Sequence, residues 1–335
     1  MKICVVGAGA IGGLLAVRFA LAGNDVSVVD QGLHLNAIQD NGLTLEEADG
    51  SRSTVSVTAV SSIKDLPQQD LVILALKAHF LDQVARDIEA VLHPETIILP
   101  VQNGIPWWYF HKHNSEFEGR RVNSLDPSGV LSKFIDADRI IGCVVYPAGG
   151  ILEPGVIKHV EGDRFPIGEL DGSETDRVQK LFDLFVEAGF RSRILDDIRS
   201  EIWLKVWGNM SLNPISALTH ATLEDICQFK ETRALTASMM GEAQIVAEKL
   251  GVTFRHTIEK RIEGAESVGS HKTSMLQDVE EGHSLEIEAI IGAILEIAQW
   301  TNTPVPSIAA IYACAKLLNK QMLLKRAGVK FAQAD

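Results

Sequence analysis

Three polar side chains that could do chemistry recur four residues apart in an apolar stretch of the sequence, residues 201–214. They are Lys205, Asn209 and Asn213, and on a helix they begin at the rim of the apolar face and wind into it. Burying an ammonium and two amides without partners would cost several kcal/mol, so polar groups must receive them. The pattern therefore predicts either a ligand site or a structural hydrogen-bond network between helices. Pro214 predicts that the helix kinks or ends there, because proline lacks a helical N–H donor.

Two carboxylates late in the sequence could hold a ligand hydroxyl. The pattern predicts a helix over about 272–281 that ends at Gly282, followed by a second helix that Ser284 caps. Glu286 and Glu288 would then lie in the first turn of the second helix, where the helix dipole keeps a carboxylate ionised. Such a carboxylate is a fixed hydrogen-bond acceptor, and the alternative is simple compensation of the dipole.

A glycine-rich segment near the N-terminus has the residue types that bind a pyrophosphate. Residues 2–6 predict a strand, a helix follows to about Ala22, and residues 25–30 predict a second strand. The first strand and the helix are joined by a GxGxxG sequence formed by Gly7, Ala8, Gly9, Ala10, Ile11 and Gly12. In a dinucleotide-binding fold the first glycine makes the turn, the second admits the pyrophosphate, and the third allows close packing. The segment therefore predicts a dinucleotide site, and the alternative is a turn without a ligand.

Three further residues are predicted at the carboxyl edge of the same sheet, where ligands bind. Asp30 ends the second strand, and a carboxylate there accepts hydrogen bonds from a ribose 2′-hydroxyl and repels a 2′-phosphate. We therefore expect NADH rather than NADPH, unless Asp30 only initiates a turn. Lys77 and Asn103 follow two later predicted strands. Alternatively, Lys77 is a solvated lysine at the start of a helix, and Asn103 is a turn residue without a ligand.

These residues need elements that position them, and the pattern predicts a doubly wound α/β fold. Apolar strands over 70–76 and 96–104, with a helix over 80–92, indicate a Rossmann-type parallel sheet. Three short strands within 139–168 and a helix over 174–188 follow. After that point strand-like runs vanish, and the sequence predicts helices only.

The predicted domains follow from this change of pattern. We expect a dinucleotide-binding Rossmann domain over residues 1–196 and an all-helical domain, for substrate and catalysis, over residues 197–335. An insertion over about 105–138 interrupts the first domain. Its aromatic residues indicate either a lid or pocket wall, or an insertion anchored on the core by those aromatics.

The composition argues against several classes of protein. A net charge of −13 without a basic cluster argues against a nucleic-acid partner. No apolar run reaches the roughly 18–20 residues of a membrane span, and we expect no export signal and a cytoplasmic protein. Four separated cysteines without a CxxC pair indicate free thiols. His111 and His113 favour an exposed loop over a metal site, so we predict no metal.

Together these residues resemble the ketopantoate reductase (2-dehydropantoate 2-reductase) family over nearly the whole chain. The resemblance rests on GAGAIGG near the N-terminus, LALKAH around Lys77, VQNG around Asn103, KVWGNMSLNPISALT and SMLQDVEEGHSLEIE. The last two are the most specific, because the lysine and both asparagines keep their spacing, as do Ser274 and Glu286. The resemblance implies a Rossmann domain followed by a helical domain, and the NAD(P)H-dependent reduction of a 2-oxo acid, ketopantoate, to pantoate in pantothenate biosynthesis.

The resemblance also implies how the polar residues act on the substrate. Lys205 would be the general acid that protonates the substrate oxygen as hydride reaches the carbonyl carbon. Glu286 would bind the distal hydroxyl of the substrate, and Asn209 and Asn213 would hold the same end. Ser274 would meet the substrate carboxylate.

The cofactor side completes the implied site and contains one departure from the family. Asn103 would lie beside the nicotinamide and the substrate, and Lys77 near the cofactor phosphates or the substrate carboxylate. Many family members carry a basic residue at the end of the second strand, whereas this chain has Asp30 followed by Gln31. The segment 105–134 also looks longer than in compact members of the family.

Two other functions fit the same residues. One is an NAD-dependent dehydrogenase of another 2-hydroxy acid with a remodelled pocket, and the other is a sensor that binds a nicotinamide cofactor without turnover. The expected partner is a small 2-oxo acid. Apolar helices such as AIIGAILEIAQW indicate either a homodimer interface or simply core packing.

Overall fold

The computed structural model describes residues 1–330, and the chain forms two compact units. The α/β unit comprises Met1–Gln102, Trp107–Arg121 and Ser128–Ile198. The helical unit comprises Asn103–Pro106, Val122–Pro127 and the chain from Arg199 on. The predicted boundary at residue 196 lies beside the division after Ile198. Two short pieces of the predicted insertion, however, belong to the helical unit.

The α/β unit contains strands and helices in alternation. Its strands are β1 (Lys2–Val6), β2 (Asp25–Val29), β3 (Leu43–Glu46), β4 (Arg52–Val55), β5 (Thr58–Val60), β6 (Leu71–Leu74), β7 (Ile97–Pro100), β8 (Gly142–Cys143), β9 (Ala148–Glu153), β10 (Val156–Glu161), β11 (Arg164–Gly168) and β12 (Arg191–Ile194). Its α-helices are α1 (Ala10–Leu21), α2 (Gly32–Asn41), α3 (Asp82–Ala85), α4 (Val130–Phe134) and α5 (Asp176–Glu187).

The central sheet is parallel and has the strand order β5-β2-β1-β6-β7. The chain runs from β1 to one side through β2 and returns to the other side through β6, so the order reverses at β1. Every residue of β6 is buried, as a parallel strand covered on both faces requires. This arrangement confirms the prediction of a Rossmann-type sheet, and it puts the carboxyl end of β1 at the switch point where such folds bind ligands.

Two smaller sheets extend the α/β unit. Their strand orders are β4-β3-β10-β9 and β12-β11-β8. Helix α1 packs closely on β10, since a methyl group built on Gly13 would lie 2.9 Å from Cδ1 of Ile157. The prediction of three strands within 139–168 is wrong by one, because β8 is a two-residue strand too short to carry a periodic signal.

The predicted helix over 80–92 is also wrong. The structure has 3₁₀ turns at Ala78–Phe80 and Ile88–Val91 on either side of the single turn α3. The buried side chains there include Ile88 and Val91, and a spacing of three fits a 3₁₀ turn better than an α-helix.

The aromatic residues of the insertion lie in the core of the α/β unit. Trp108, Tyr109 and Phe110 are buried, and the rings of Tyr109 and Phe110 meet edge to face with centroids 4.9 Å apart. This burial supports the second interpretation of the segment, an insertion that its aromatics anchor on the core.

Four phenylalanine rings join α1, α5 and the sheet that contains β11. Phe185 of α5 lies with its ring centroid 5.3 Å from that of Phe19 and 5.2 Å from that of Phe165, and Phe190 is 4.9 Å from Phe165. All four side chains are buried. The cluster therefore holds α1, which begins at the glycine-rich turn, against the rest of the unit.

The helical unit follows the predicted all-helical pattern. Its α-helices are α6 (Ile198–Thr219, whose first residue is the last of the α/β unit), α7 (Leu223–Gln228), α8 (Lys230–Lys249), α9 (Ile258–Glu266), α10 (Ser274–Glu281), α11 (Ala293–Trp300) and α12 (Pro306–Lys325). A π-helix, Glu288–Gly292, leads directly into α11. Among the residues that the structure describes, no helix has the length and apolarity needed to cross a membrane.

The structure corrects the predicted helix ends at Pro214 and Ser284. Pro214 was predicted to kink or end its helix, and because α6 continues through it to Thr219, the proline does not end the helix. The helix after Gly282 begins with the π-helix, whose N-cap position is Ile287 without a side-chain cap, and not with an α-helix capped by Ser284. A π-helix bonds each N–H five residues back, and Ala293 donates to the carbonyl of Glu288 in this way.

The turn after Asn103 is fixed by packing against the π-helix. Gly104 has a left-handed φ of 87°, and a methyl group built on it would overlap the carbonyl of Ala289 and lie 2.9 Å from its Cβ. The next residue, Ile105, donates its N–H to the carbonyl oxygen of Ala289 at 2.8 Å. Only glycine suits position 104, because this φ and this close approach both exclude a side chain.

The four-ring cluster should dominate the stability of the α/β unit. We expect Phe185→Ala to lower the free energy of unfolding by about 3–5 kcal/mol, because the cavity cannot fill. The control is Val186→Ala, the next residue on α5, which is 49% exposed and should cost about 0.5 kcal/mol or less. Urea unfolding followed by circular dichroism measures both, and equal losses would contradict the assignment.

The turn at Gly104 should tolerate no side chain. Gly104→Ala and the control Gly251→Ala both force alanine into a left-handed φ, which costs about 1–2 kcal/mol. The site at Gly251, with φ 86°, has open space for the methyl group. We expect Gly104→Ala to lose at least about 1 kcal/mol more than the control in chemical unfolding, because only it overpacks a neighbour. The same loss in both variants would show that packing against Ala289 is unimportant.

Candidate active site

The glycine-rich turn begins directly after β1. Gly7 has a φ of 94° and donates its N–H to the carbonyl of Val29 at 2.8 Å. A methyl group on Gly12 would overlap the carbonyl of Gly7 and lie 2.9 Å from Cβ of Ala75, so helix and strand are in close contact. A methyl group on Gly9, in contrast, would meet nothing within 4 Å. The turn is therefore closed at Gly7 and Gly12 and open at Gly9.

The open side of the turn has the chemistry of an anion site. Gly9 is the N-cap of α1 and provides no side chain to bond the first N–H groups of the helix, and the first turn has no acidic residue. Ala10 and Ile11 of that turn are partly exposed. Unpaired N–H groups and the positive end of the helix dipole favour a phosphate at this point.

Two side chains hold the peptide groups of Ala8 within the turn. Asp30 accepts the N–H of Ala8 on Oδ2 at 2.7 Å and the N–H of Gln31 on Oδ1 at 2.7 Å. His34 lies 2.9 Å, by Nε2, from the carbonyl oxygen of Ala8, and its Nδ1 accepts the N–H of Gly155 at 3.0 Å. Since Nδ1 is an acceptor, Nε2 carries the proton and donates to Ala8.

The predicted residue Asp30 thus lies at the turn, whereas His34 was not predicted. The sequence contains only a weak signal for His34, its position one helical turn after Asp30. Its partner Gly155 is more than a hundred residues away, and no local pattern reveals such a contact.

Lys77 lies at the carboxyl edge of the sheet, as predicted, three residues after β6 and at the start of the 3₁₀ turn that contains His79. Burial lowers the pKa of His79, and the charge of Lys77 lowers it further. Gln102 holds the loop before Lys77, because its side-chain amide donates to the carbonyl oxygens of Leu74 and Leu76. Gln102 belongs to the VQNG sequence but was not singled out from the sequence.

Lys205 and Asn103, both predicted, come together in the helical unit. The Nζ of Lys205 donates to Oδ1 of Asn103 at 2.6 Å, and both side chains are partly exposed. The short turn with Gly104 presents Asn103, and α6 presents Lys205. The lysine at the rim of the apolar face therefore has an amide oxygen as partner, and its ammonium position is fixed.

The rest of α6 is an apolar support for the polar row. Trp203 and Trp207 are fully buried, and Nε1 of Trp207 donates to the carbonyl of Met240 at 2.6 Å. Asn209 is partly exposed, and Asn213 lies deeper with 7% of its surface exposed. The row thus starts at the surface and turns into the unit, as the four-residue spacing predicts.

The two remaining predicted residues lie on neighbouring segments of the helical unit. Ser274 is the exposed first residue of α10, which Thr273 caps with its side chain. Glu286 lies just before the π-helix, is partly exposed, and accepts the N–H of Ile290 on its carbonyl at 3.1 Å. That their side chains converge with Lys205 on one substrate stays a prediction.

Glu288, the second predicted carboxylate, is engaged elsewhere. Its carboxylate accepts the Tyr312 hydroxyl at 3.1 Å and pairs with Lys316 at 3.0 Å. Burial raises the pKa of the Tyr312 hydroxyl. The hydrogen bond with Lys316 opposes this shift, and the charge of Glu288 adds to it. Glu288 thus already has two side-chain partners on α12.

Two of the three buried thiols are poorly suited to act as nucleophiles. Cys4, Cys143 and Cys227 are buried, and Cys314 is exposed. Burial raises the pKa of Cys4 to about 12 and also raises the pKa of Cys227. A thiol with a raised pKa stays protonated near neutral pH and is a poor nucleophile.

Comparison with known proteins adds to this geometry. A family model described as ketopantoate reductase PanE/ApbA matches residues 3–114, and the model of the C-terminal part of that family matches residues 197–319. A 2-dehydropantoate 2-reductase of Mesorhizobium japonicum is 49% identical over 319 residues, which cover 95% of this chain and 98% of the relative.

Two solved structures share the fold of this chain. A candidate ketopantoate reductase from Ralstonia solanacearum is 36% identical, with a TM-score of 0.91 over 96% of this chain and 98% of that one. A D-mandelate dehydrogenase solved with NADH and anilino(oxo)acetate shares the fold, with 22% identity and a TM-score of 0.83 over 96% of this chain and 100% of that one.

The sequence matches cover both the glycine-rich turn and the polar row of α6. The chain belongs to the ketopantoate reductase family and is a nicotinamide-dependent oxidoreductase that acts on a 2-oxo acid.

Proposed function

We propose that this chain reduces ketopantoate to pantoate and that Lys205 is the general acid. The observation that carries the proposal is the 2.6 Å hydrogen bond from Lys205 to Asn103, which fixes one ammonium on the apolar helix α6. The 49% identical relative from Mesorhizobium japonicum, a 2-dehydropantoate 2-reductase, supports the same substrate.

Residues of the α/β unit fit a dinucleotide, and we propose that NADH is preferred. The open space at Gly9 and the first N–H groups of α1 would receive the pyrophosphate. Lys77 would add a positive charge near the phosphates. Asp30 keeps acceptor capacity beyond its bonds to Ala8 and Gln31, since a carboxylate offers about four acceptor sites. It would accept a ribose hydroxyl and repel a 2′-phosphate, and the NADH-bound fold neighbour is compatible with this preference.

The chemistry of the substrate carbonyl would fall to Lys205. When bound, the nicotinamide supplies a hydride to C2 of the oxo acid. The Nζ of Lys205 would give a proton to the C2 oxygen, so that the developing alkoxide becomes a hydroxyl, and the lysine would regain its proton from solvent. Asn103 keeps the ammonium in place through its Oδ1, and its own amide N–H groups would face the substrate and the nicotinamide.

The remaining polar residues would orient the substrate. Glu286 would accept the hydrogen bond of the distal hydroxyl, as the resemblance to the family implies. Asn209 and Asn213 would hold the same end of the substrate with their amides. The Ser274 hydroxyl would donate to the substrate carboxylate.

A second candidate is an NAD-dependent dehydrogenase of another 2-hydroxy acid. The observation that favours it is Asp30, which lies at the glycine-rich turn where the resemblance leads one to expect a basic residue. A panel of 2-oxo acids separates the two: activity with another oxo acid and none with ketopantoate would favour this candidate.

Removal of the proposed proton donor should stop turnover and leave the cofactor bound. We expect Lys205→Ala to lower kcat by about 10²–10⁴-fold, the usual loss when a general acid is removed. The dissociation constant of NADH, measured by fluorescence titration, should stay nearly unchanged. Lys230→Ala, an exposed lysine of the same unit, is the control and should keep full activity. Equal losses of turnover and cofactor binding in Lys205→Ala would indicate a structural lysine.

The cofactor preference can be tested on the unmodified protein. In steady-state kinetics with ketopantoate we expect a higher kcat/KM with NADH than with NADPH, because Asp30 repels the 2′-phosphate. Asp30→Asn should reduce the difference in kcat/KM between NADH and NADPH. The substitution removes the charge, while the amide oxygen can still accept the N–H of Ala8. A clear preference of the unmodified protein for NADPH would overturn this use of Asp30.

A further inference from the structure

Helix α6 has a glycine in its interior, and a guanidinium fills the space of the missing side chain. A methyl group built on Gly208 would lie 2.7 Å from Cζ and 3.2 Å from Nε of Arg261, and closer still to Nη2. Glycine weakens the interior of a helix by roughly 0.5–1 kcal/mol relative to alanine, so its use here needs a reason. The approach of Arg261 from α9 supplies that reason.

The position of this guanidinium on α6 relates it to the proposed proton donor. Gly208 follows Lys205 by three residues, and side chains three apart on a helix are neighbours with about 5–6 Å between Cβ positions. Asn209 is the next residue after the glycine. Arg261 is partly exposed and so is Lys205. The helical unit therefore presents a guanidinium and an ammonium next to each other on one surface of α6.

A 2-oxo acid can use a second positive group beside its proton donor. Its carboxylate is bonded directly to the carbonyl carbon, so the group that binds the carboxylate must lie within a few ångströms of the group that protonates the oxygen. A guanidinium matches a carboxylate with two parallel N–H bonds, whereas the Ser274 hydroxyl proposed above can donate only one and has no charge. A guanidinium also has five N–H donors and can keep a protein partner while it binds a ligand.

We propose that Arg261 binds the carboxylate of the 2-oxo acid substrate and that Gly208 is a glycine so that the guanidinium can reach its place beside Lys205. This inference rests on the proposed function of the site and names the charge that selects acids over uncharged carbonyl compounds. Arg261 and Ser274 then bind the same carboxylate, the first by charge and the second by a single hydrogen bond.

The test compares an acid with its uncharged analogue. We expect Arg261→Met to raise KM for ketopantoate by about 10–100-fold, the usual range for a lost charged hydrogen bond. KM for the carboxamide of ketopantoate should change by no more than about threefold, because the amide has no charge for the guanidinium to bind. Arg261→Lys keeps the charge without the bidentate geometry. Its KM for ketopantoate should lie between those of the unmodified protein and of Arg261→Met. The control Lys260→Met removes a positive charge from an exposed position on α9 and should leave both KM values unchanged.

Gly208→Ala tests the same proposal without removal of the arginine. Alanine favours a helix over glycine, so this variant should fold, but its methyl group displaces the guanidinium. We expect the same selective rise of KM for the acid. Equal effects on acid and amide, or an unchanged KM for the acid in Arg261→Met or Gly208→Ala, would overturn the proposal.

The two proposals fail in different ways. In one case the unmodified protein reduces ketopantoate, and Arg261→Met raises KM equally for the acid and the amide. This result refutes only the role of Arg261. If the unmodified protein reduces no 2-oxo acid, the proposed function fails, and calorimetric binding of ketopantoate and its carboxamide to the same variants still decides whether Arg261 binds a carboxylate. Equal affinity of the unmodified protein for ketopantoate and for its carboxamide would then refute the role of Arg261.

Discussion

The constraint on which the candidate site depends is that an ammonium on an apolar helix must have a polar partner. Helix α6 buries two tryptophans, and Lys205 at the edge of this apolar face is held by the side chain of Asn103. Asn103 in turn has its place because Gly104 turns the chain against Ala289 of the π-helix. A packing contact, a left-handed residue and one hydrogen bond thus fix the position of a charge, and the apolar neighbours keep it from moving.

The same logic operates at the glycine-rich turn, with backbone groups in place of a charge. Asp30 holds the N–H of Ala8 and His34 holds its carbonyl, so the two peptide groups that flank Ala8, just before the open position at Gly9, cannot rotate freely. The four-ring cluster around Phe185 fixes the helix that begins there. At the glycine-rich turn and on α6, rigid apolar packing holds the elements that carry the polar groups and so fixes the positions of those groups.

Features with a local signal could be predicted from the sequence, and features that depend on distant contacts could not. The turn from Gly7 to Gly12, the strands around it and the end of α10 at Gly282 follow from neighbouring residue types, and the structure has them. The spacing of Lys205, Asn209 and Asn213 indicated a site but did not name Asn103 as a partner, because that contact spans about a hundred residues. His34 and Arg261 were missed for the same reason. Pro214 and Ser284 carried the usual signals of helix ends, but the packing of α6 and the π-helix overrode them.

The π-helix has a consequence for how this family can vary in sequence. A π-helical turn contains one residue more than an α-helical turn over the same length, so it behaves as a one-residue insertion into a regular helix. Gly292 fits this turn because a side chain there would overlap the carboxylate of Glu288. Loss of one residue between Glu288 and Gly292 would therefore restore a regular helix without rotating the residues before it, whereas the same loss from an α-helical turn would rotate them by about 100° around the axis. A relative that lacks that residue could therefore keep the Glu286 carboxylate in the same direction, so a one-residue gap at this position in an alignment does not by itself mean a different substrate.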